Sequence, residues 1–517
     1  MKKSALLSLS CSCSVALLLV AGCGTGGTTN PNDAGTGTDL SVPATTNDMT
    51  APPAQDLTAA PAGDMSQPNR GTKLASGAVQ VSGITDDDRV VFVDPRNGAE
   101  AVPIAGGSAP DVIDGTSDTV AIVHKVVFSW SNTDMVTSLG DLLVYSGAAG
   151  VKKLGGASVS GLVASDPGGA WILYTLGGSM DGSNADLTVA KSDGTGVKTV
   201  YKQAQTDASC TPLMEWANGK FVIDYCAGAV GDGGVSPALL ALLDPATGTA
   251  TPIAGAYSNN VLSVDKMGKY AVVTTDKDDL VAVPLAGGSN IALDTSVAIA
   301  AISDDATLVV YRTKGGALKK VAIPGAGQAA APVVLVASNA NVLQGVSKDF
   351  KWALYSSAVD AMTGLGDLFL ASVATPGMPV TLTATMTSAS GGPYGDSFSA
   401  DGTRVYYFTD VSATDFVGTL KTRPVAGGNE TVLGTTVWKS LATKGTNLVY
   451  NDNFKMVPNQ NGRGDIQVVN SASGALMPKL ITPAADVDIV LSAAKDKVAF
   501  SVSAPVTAQG LYALPVP

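Results

Sequence analysis

The chain has 517 residues, 45% of them hydrophobic and only 15% charged, with a net charge of -12 at pH 7. That length and apolar content can bury one large core or two medium ones, while the acidic balance argues against a nucleic-acid or anionic-lipid surface as partner. Its single histidine, His124, narrows the acid–base and metal chemistry further.

At the start, Met1-Lys2-Lys3 is a short positive segment and Ala5 to Val20 an apolar stretch interrupted only by Ser and Cys. This is the order of an export signal, and the run is too short for a spanning helix, which needs roughly 20 apolar residues. Val20-Ala21-Gly22-Cys23 resembles the lipobox of bacterial lipoproteins. The resemblance implies that residues 1–22 are a signal peptide and that the thiol of Cys23 carries lipid. Each buried CH₂ contributes about 0.8 kcal/mol, so several acyl chains on one residue make a durable membrane anchor. Gly24 stands where lipoproteins of this kind kept in the inner membrane carry Asp, so the resemblance points to the outer membrane, facing the periplasm or the surface.

Residues 23–71 are the lipidated cysteine and a tract of Thr, Pro, Asp, Gly and Ala almost free of aromatics, whose composition predicts a disordered tether. Within it Asp39-Leu40, Asp48-Met49, Asp56-Leu57 and Asp64-Met65 recur at even spacing. This is similar to the tethers of exported lipoproteins from deltaproteobacteria such as myxobacteria. A coil of this length spans roughly 40 Å on average, enough to hold a domain clear of a bilayer. Gly22, Gly24, Gly26 and Gly27 are not a nucleotide loop, since no strand or helix pattern flanks them.

Residues 72–517 are short β-rich runs punctuated by Gly, Asp and Asn turns, and they repeat. A small residue or Asp followed by an apolar residue opens one strand per unit: Gly140-Asp141-Leu142, Asp186-Leu187, Ala238-Leu239, Asp279-Leu280, Ala317-Leu318, Gly366-Asp367-Leu368, Gly418-Thr419-Leu420, Gly464-Asp465-Ile466 and Gly510-Leu511, with Arg89-Val90 in the first place. The mean step from Val90 to Leu511 is about 47 residues, the size of a four-stranded propeller blade. Upstream of six anchors an aromatic ring follows the turn at a constant offset: Gly169 to Tyr174, Ala306 to Tyr311, Phe350 to Tyr355, Gly402 to Tyr407, Gly445 to Tyr450 and Lys495 to Phe500. Equal offsets place these rings at one depth, between neighbouring sheets. Pro103-Ile104-Ala105-Gly106-Gly107, Pro284-Leu285-Ala286-Gly287-Gly288 and Pro424-Val425-Ala426-Gly427-Gly428 read as hairpins near the blade rim.

Ser399-Ala400-Asp401-Gly402-Thr403-Arg404-Val405-Tyr406-Tyr407 resembles the repeat of TolB-type and WD-like propellers, with looser copies at Ser303-Asp304-Asp305-Ala306 and Ser347-Lys348-Asp349-Phe350. The resemblance implies an all-β propeller of about ten four-stranded repeats, but no particular ligand. No separate helix-and-sheet domain is expected ahead of the repeats, so the partnership of TolB with peptidoglycan-associated lipoproteins is not implied. Ten units exceed the usual four to eight blades, leaving one large ring or two tandem rings, the latter favoured. The last unit ends after three strands, and the segment from Thr72 to Gly83 is placed to supply missing strands and remove an open edge.

Cys11 and Cys13 leave with the signal and Cys23 carries lipid, so Cys210 and Cys226 remain as a pair in an oxidising compartment and are expected to be bridged across an odd-looped hairpin around Asn218. His124 reads as a turn residue, since no Gly-x-Ser-x-Gly elbow accompanies it. Arg70, Arg89, Arg96, Arg312, Arg404, Arg423 and Arg463 are too scattered for the arginine cluster of a sialidase. Asp86-Asp87-Asp88, Asp181 with Asn184 and Asp186, and Asp276 with Asp278 and Asp279 are candidate Ca²⁺ ligands, yet none has Asp-x-Asp-x-Asp-Gly spacing, and turn capping is the preferred role. Arg463-Gly464-Asp465 spells an adhesion tripeptide but is the copy of the Gly-Asp-Leu anchor in its unit. The reading is therefore a noncatalytic envelope module for a protein or glycan partner, with no catalytic residue and no cofactor assigned. A polysaccharide lyase or hydrolase and a Ca²⁺-dependent surface module are the alternatives.

Overall fold

The computed structural model describes residues 71–516, apart from 118, 135–137, 160, 179–184, 205–212, 227–237, 276, 326, 361–364, 389–393, 413–416, 457–461, 477–480 and 504–505. The described chain is all strand and turn, with two short 3-10 segments and no α-helix. Antiparallel units follow one another, and in each the strands are lettered A to D from the inside outward.

Blade 1 comprises Gln80–Ile84, Arg89–Asp94, Gly98–Pro103 and Asp111–Asp114. Blade 2 comprises Val120–Val123, Val126–Ser131, Leu139–Tyr145 and Val151–Ser158; blade 3, Val163–Ser165, Trp171–Gly177, Ala185–Lys191 and Lys198–Ala204. Blade 4 has Leu213–Ala217, Lys220–Cys226 and Ala238–Asp244, and the long strand Thr249–Val264 serves as its strand D before becoming strand A of blade 5. Blade 5 continues with Tyr270–Thr275, Leu280–Pro284 and Ile291–Asp294; blade 6 is Val297–Ile302, Leu308–Thr313, Leu318–Ala322 and Val333–Val336. Blade 7 is Val342–Val346, Trp352–Ser357, Leu365–Ser372 and Val380–Ser388. In blade 8, strand A is reduced to one bridge, Phe398 to Val405, ahead of Arg404–Thr409, Gly418–Pro424 and Thr431–Val437. Blade 9 is Lys439–Ala442, Asn447–Lys455, Arg463–Asn470 and the first part of Ile481–Leu491, whose last part opens blade 10. Blade 10 continues with Lys497–Val502 and Gly510–Pro515, and its strand D is the N-terminal strand Thr72–Ser76, paired antiparallel with Gly510–Ala513.

The strand B sequences, such as RVVFVD, LVVYRT and KVAFSV, are continuous apolar runs because these strands are covered on both faces. Their side chains alternate between the preceding and the following blade. As a result the buried residues form ten clusters, one between each pair of consecutive blades. One of them joins Val81, Val90 and Phe92 of blade 1 to Ala499, Leu511 and Ala513 of blade 10. Strand A of blade 1 also touches strand A of blade 10. No cluster among the described residues joins blade 5 to blade 1, as tandem five-bladed rings require. The favoured pair of rings is thereby corrected to a single ring of ten blades. Were there two rings, the N-terminal strand would complete blade 5; it completes blade 10 instead.

Nine of the ten strand-opening anchors begin strand C, but Arg89-Val90 begins strand B of blade 1, and the matching position is Gly98-Ala99. Each anchor marks the place where strand D slips register, in all ten C–D pairs among the described residues. Small residues precede the apolar one because the end of strand B crosses there. A Cβ on Gly366 would lie 2.6 Å from the Ser357 carbonyl oxygen, and one on Gly464 2.8 Å from that of Asp452. The Pro-Gly-Gly segments are the C–D turns, with the N–H of Gly106, Gly287 and Gly427 returning to the carbonyl of the proline that ends strand C.

Candidate functional site

Antiparallel order puts the A–B and C–D turns on one face of the ring and the B–C and D–A connections on the other. On the first face, blades 1, 3, 5, 6, 7, 8 and 10 share one A–B turn, closed from its fourth residue's N–H to its first residue's carbonyl. That fourth residue is left-handed, as at Ala306 (φ 62°), Phe350 (φ 54°), Gly402 (φ 70°) and Lys495 (φ 55°). The serine that opens the turn accepts the N–H of the residue that follows it, at 3.0 Å for Leu308 on Ser303, Trp352 on Ser347 and Arg404 on Ser399. Its hydroxyl donates to the Asp two residues on, at 2.7 Å for Asp305 and Asp349 and 2.6 Å for Asp401. The Ser-x-Asp-Gly motif is thus a turn device, and its aspartates are held as carboxylates by these bonds. Hydrogen bonds from Ser303 and Thr307 lower the pKa of Asp305. Burial pushes Asp401 up, but Ser399 and Thr403 outweigh it and the net shift is downward.

The acidic clusters disperse in the same way. Asp86 Oδ2 lies 2.8 Å from His124 Nδ1 in blade 2, Asp87 accepts from Thr85, and Asp88 Oδ1 accepts the Ala493 N–H of blade 10 at 2.8 Å. The triple-Asp turn of blade 1 therefore fastens it to both neighbours. Asp278 pairs with Lys314 of blade 6, while Asp279 offers its backbone to Thr275. Asp181, Asn184 and Asp276 lie outside the described residues. Among the described residues no three His, Cys, Asp or Glu side chains gather as a metal site. His124 is left-handed (φ 55°) in the short A–B turn of blade 2, and its carbonyl also accepts the Asp86 N–H.

The arginines stay apart. Arg89 pairs with Asp111, Arg96 with Asp94, Arg404 donates to Thr422 Oγ1, and Arg463 donates to Ser503 Oγ. Gly464 and Asp465 of the adhesion-like tripeptide are buried, and Asp465 accepts from Asn453 at 2.8 Å. The same contact, Asn132 to Asp141 at 3.2 Å, occurs in blade 2. In both blades a left-handed Asn near the end of strand B bonds the Asp near the start of strand C, nine residues on in blade 2 and twelve in blade 9, so the link has no fixed spacing in the sequence.

Cys23 and Cys210 lie outside the described residues, as does the side chain of Cys226, whose backbone ends strand B of blade 4. The hairpin before it turns on two residues, Asn218 (φ 50°) and Gly219 (φ 80°), with Ala217 opposite Lys220. The odd loop expected there is corrected: Asn-Gly favours the two-residue turn whose twist matches the strands.

Six repeated aromatics lie in the clusters between blades, each against the preceding blade. Several carry a polar contact that the sequence did not announce. Tyr311 OH donates to Asp294 Oδ2 at 2.6 Å, where Lys319 Nζ also lies at 2.8 Å. Tyr407 OH and Lys421 meet on Glu430 in the same manner. Burial and the carboxylate push both tyrosine hydroxyls up. Tyr174, whose pKa is pushed up to about 12 by burial, has an orphan hydroxyl. Opposite it the strand D position that Asp294 fills in blade 5 is Gly155 in blade 2, each paired with its blade's anchor leucine.

A shallow cavity of about 300 Å³ lies between the A–B turns of blades 7 and 8, lined by Lys348, Asp349, Ala400, Asp401 and Gly402. Its carboxylates are those already engaged by the turns. Around the axis, strand A of blades 1 to 7 and 9 carries Glu215 and Lys439, the end of Ile481–Leu491 that opens blade 10 adds Asp488, and Asp396 precedes the bridge of blade 8; the rest are Val, Ile, Leu, Ala, Ser, Gly and similar neutral residues.

No protein-family model and no curated protein matches the chain. Solved structures do. A eukaryotic initiation factor is 8% identical over 71% of this chain and 90% of that one, with a TM-score of 0.48. TolB from Acinetobacter baumannii is 14% identical over 61% of this chain and 64% of its own, with a TM-score of 0.25. The Cps50 (Swd1) β-propeller domain of Myceliophteria thermophila is 9% identical over 59% and 96%, with a TM-score of 0.30. Likeness at these identities speaks to fold alone, and the chain is a β-propeller on the evidence of its own sheets and seams.

Proposed function

We propose that this chain is an exported lipoprotein, tethered through Cys23 to the outer membrane, whose propeller is a noncatalytic binding module for a protein or glycan of the envelope. The observation that carries the second half is the sparsely charged inner wall. General acid–base or nucleophilic chemistry needs unlike ionisable groups within hydrogen-bond reach of one substrate atom. Around this axis the ionisable residues of the inner strands are Glu215 in blade 4, Asp396 ahead of the bridge in blade 8, Lys439 in blade 9 and Asp488 in blade 10, and Asp396 Oδ2 is already engaged by the Ala442 N–H. The first half rests on the order of positive segment, apolar run and lipobox before the tether.

Cys23→Ala tests the anchor. Acyl labelling and membrane retention are expected to vanish while the circular dichroism of the body is unchanged; retained labelling contradicts the anchor. For the module, the lipoprotein in detergent is used as bait against envelope extracts. Enrichment of one protein or glycan supports the reading, and turnover of envelope polysaccharide by the pure protein contradicts it.

A further inference from the structure

The two kinds of sheet edge in this ring are built differently. A strand at the end of a sheet presents unpaired N–H and C=O groups that template another strand, and a bulge blunts that tendency. At the rim every C–D pair among the described residues is interrupted by a register shift. At the inner edge, the A–B pairs of blades 2, 3, 4 and 9 run without one.

One of those four regular inner edges already holds an added strand. Tyr394-Gly395, on the way into blade 8, pairs in parallel with Lys439-Ser440 of blade 9. The Asp396 N–H then donates to the Ser440 carbonyl at 3.3 Å, and Asp396 Oδ2 accepts the Ala442 N–H at 2.7 Å. Gly395 allows the approach, since a Cβ there would run into Ser440 Oγ.

We propose that the regular inner edges of blades 2, 3 and 4 take up an extended peptide segment of a partner by strand addition, as blade 9 takes up residues 394–396. These edges are Val120–Val123, Val163–Ser165 and Leu213–Ala217; among the described residues each pairs with a strand on one side only, and on the other side the Val123 carbonyl accepts the Ser165 hydroxyl. They are consecutive around the axis, and Glu215 is their one ionisable residue. Recognition is therefore through the main chain, with small or apolar side chains on the incoming segment. The inference rests on the binding-module reading and narrows the partner to a polypeptide.

The probe is a synthetic peptide of residues 393–400, the chain's own edge-pairing segment, added to the full-length lipoprotein in detergent. Amide hydrogen exchange is followed by mass spectrometry. Exchange is expected to slow several-fold in residues 120–123, 163–165 and 213–217 and to stay unchanged in the rim strands Val333–Val336 and Thr431–Val437. The same peptide methylated on the Asp396 nitrogen is expected to give no slowing. Equal protection by the methylated peptide, protection at the rim alone, or none at all overturns strand addition. If the envelope bait still enriches one partner after such a result, the binding-module reading stands and only this inference falls.

Discussion

The two faces of the ring follow different rules. On the A–B face, seven blades repeat one turn with the same backbone closure, and its serine or acidic side chains are consumed by the turn itself. On the opposite face the B–C connections range from three residues between Asp94 and Gly98 to the long stretch between Cys226 and Ala238. The uniform face is where the repeat is written, and the variable one is free to differ because no shared hydrogen bond constrains its length. The polar residues that look most functional in the sequence belong to the uniform face: the Ser-x-Asp-Gly runs close their own turns, and the triple Asp ties blade 1 to blades 2 and 10.

The largest effect is expected from the strand that closes the ring. Leu74 is the buried side chain of Thr72–Ser76, and Leu74→Ala is expected to cost about 2–3 kcal/mol, with excision of residues 72–76 costing more. Thermal unfolding reads both, and an unchanged midpoint after excision would mean that blade 10 closes without its N-terminal strand.

Acid comes next. Glu430 is lowered overall: burial raises it, but hydrogen bonds from Tyr407 and Lys421 prevail; Asp294 is lowered likewise against its burial by Lys319 and Tyr311. A carboxyl whose folded pKa lies below its unfolded one stabilises the fold above the unfolded value and loses that contribution as pH falls through the folded one. Stability is therefore expected to decline below about pH 4, and Asp294→Asn should flatten the decline in a pH series of urea midpoints. An identical decline in the variant would remove this carboxylate from the account.

A smaller contrast separates two equivalent tyrosines. Tyr311→Phe removes one donor from Asp294, leaving Lys319 and the Thr295 N–H, and is expected to cost about 1 kcal/mol, whereas Tyr174→Phe removes an orphan hydroxyl and should be neutral or stabilising. Equal losses would show that the ring and not the hydroxyl matters. Least affected is the uniform face at a single turn: Ser399→Ala is expected to cost about 1 kcal/mol, read as a shift in urea midpoint without change of slope. A null result would assign the turn to Gly402 alone.

Blade number, the depth of the aromatic rings, the rim hairpins and the supply of a strand by residues after Thr72 were legible because each is a local pattern repeated at fixed spacing. Ring number was not. It is decided by packing such as that of Leu511 and Val90 in one buried cluster, more than 400 residues apart in the chain, which no local period encodes. Arg89-Val90 was misassigned because an apolar pair after a polar residue opens strand B as well as strand C, and blade 1 has Ala99 where other anchors carry Leu or Ile. The Tyr–carboxylate–Lys seams were hidden since Asp294 lies in the blade before Tyr311 while Glu430 lies in the same blade as Tyr407, so their spacings differ.

The central claim is one closed ring of ten blades, and its seam is the contact between the Asp88 carboxylate and the Ala493 N–H at 2.8 Å. The double variant Asp88→Cys, Ala493→Cys, oxidised and mapped by mass spectrometry, tests it directly. A single ring predicts an intramolecular disulfide joining the peptides that contain residues 88 and 493, with a raised unfolding midpoint. Both engineered thiols remaining free to alkylate in the folded protein would contradict it.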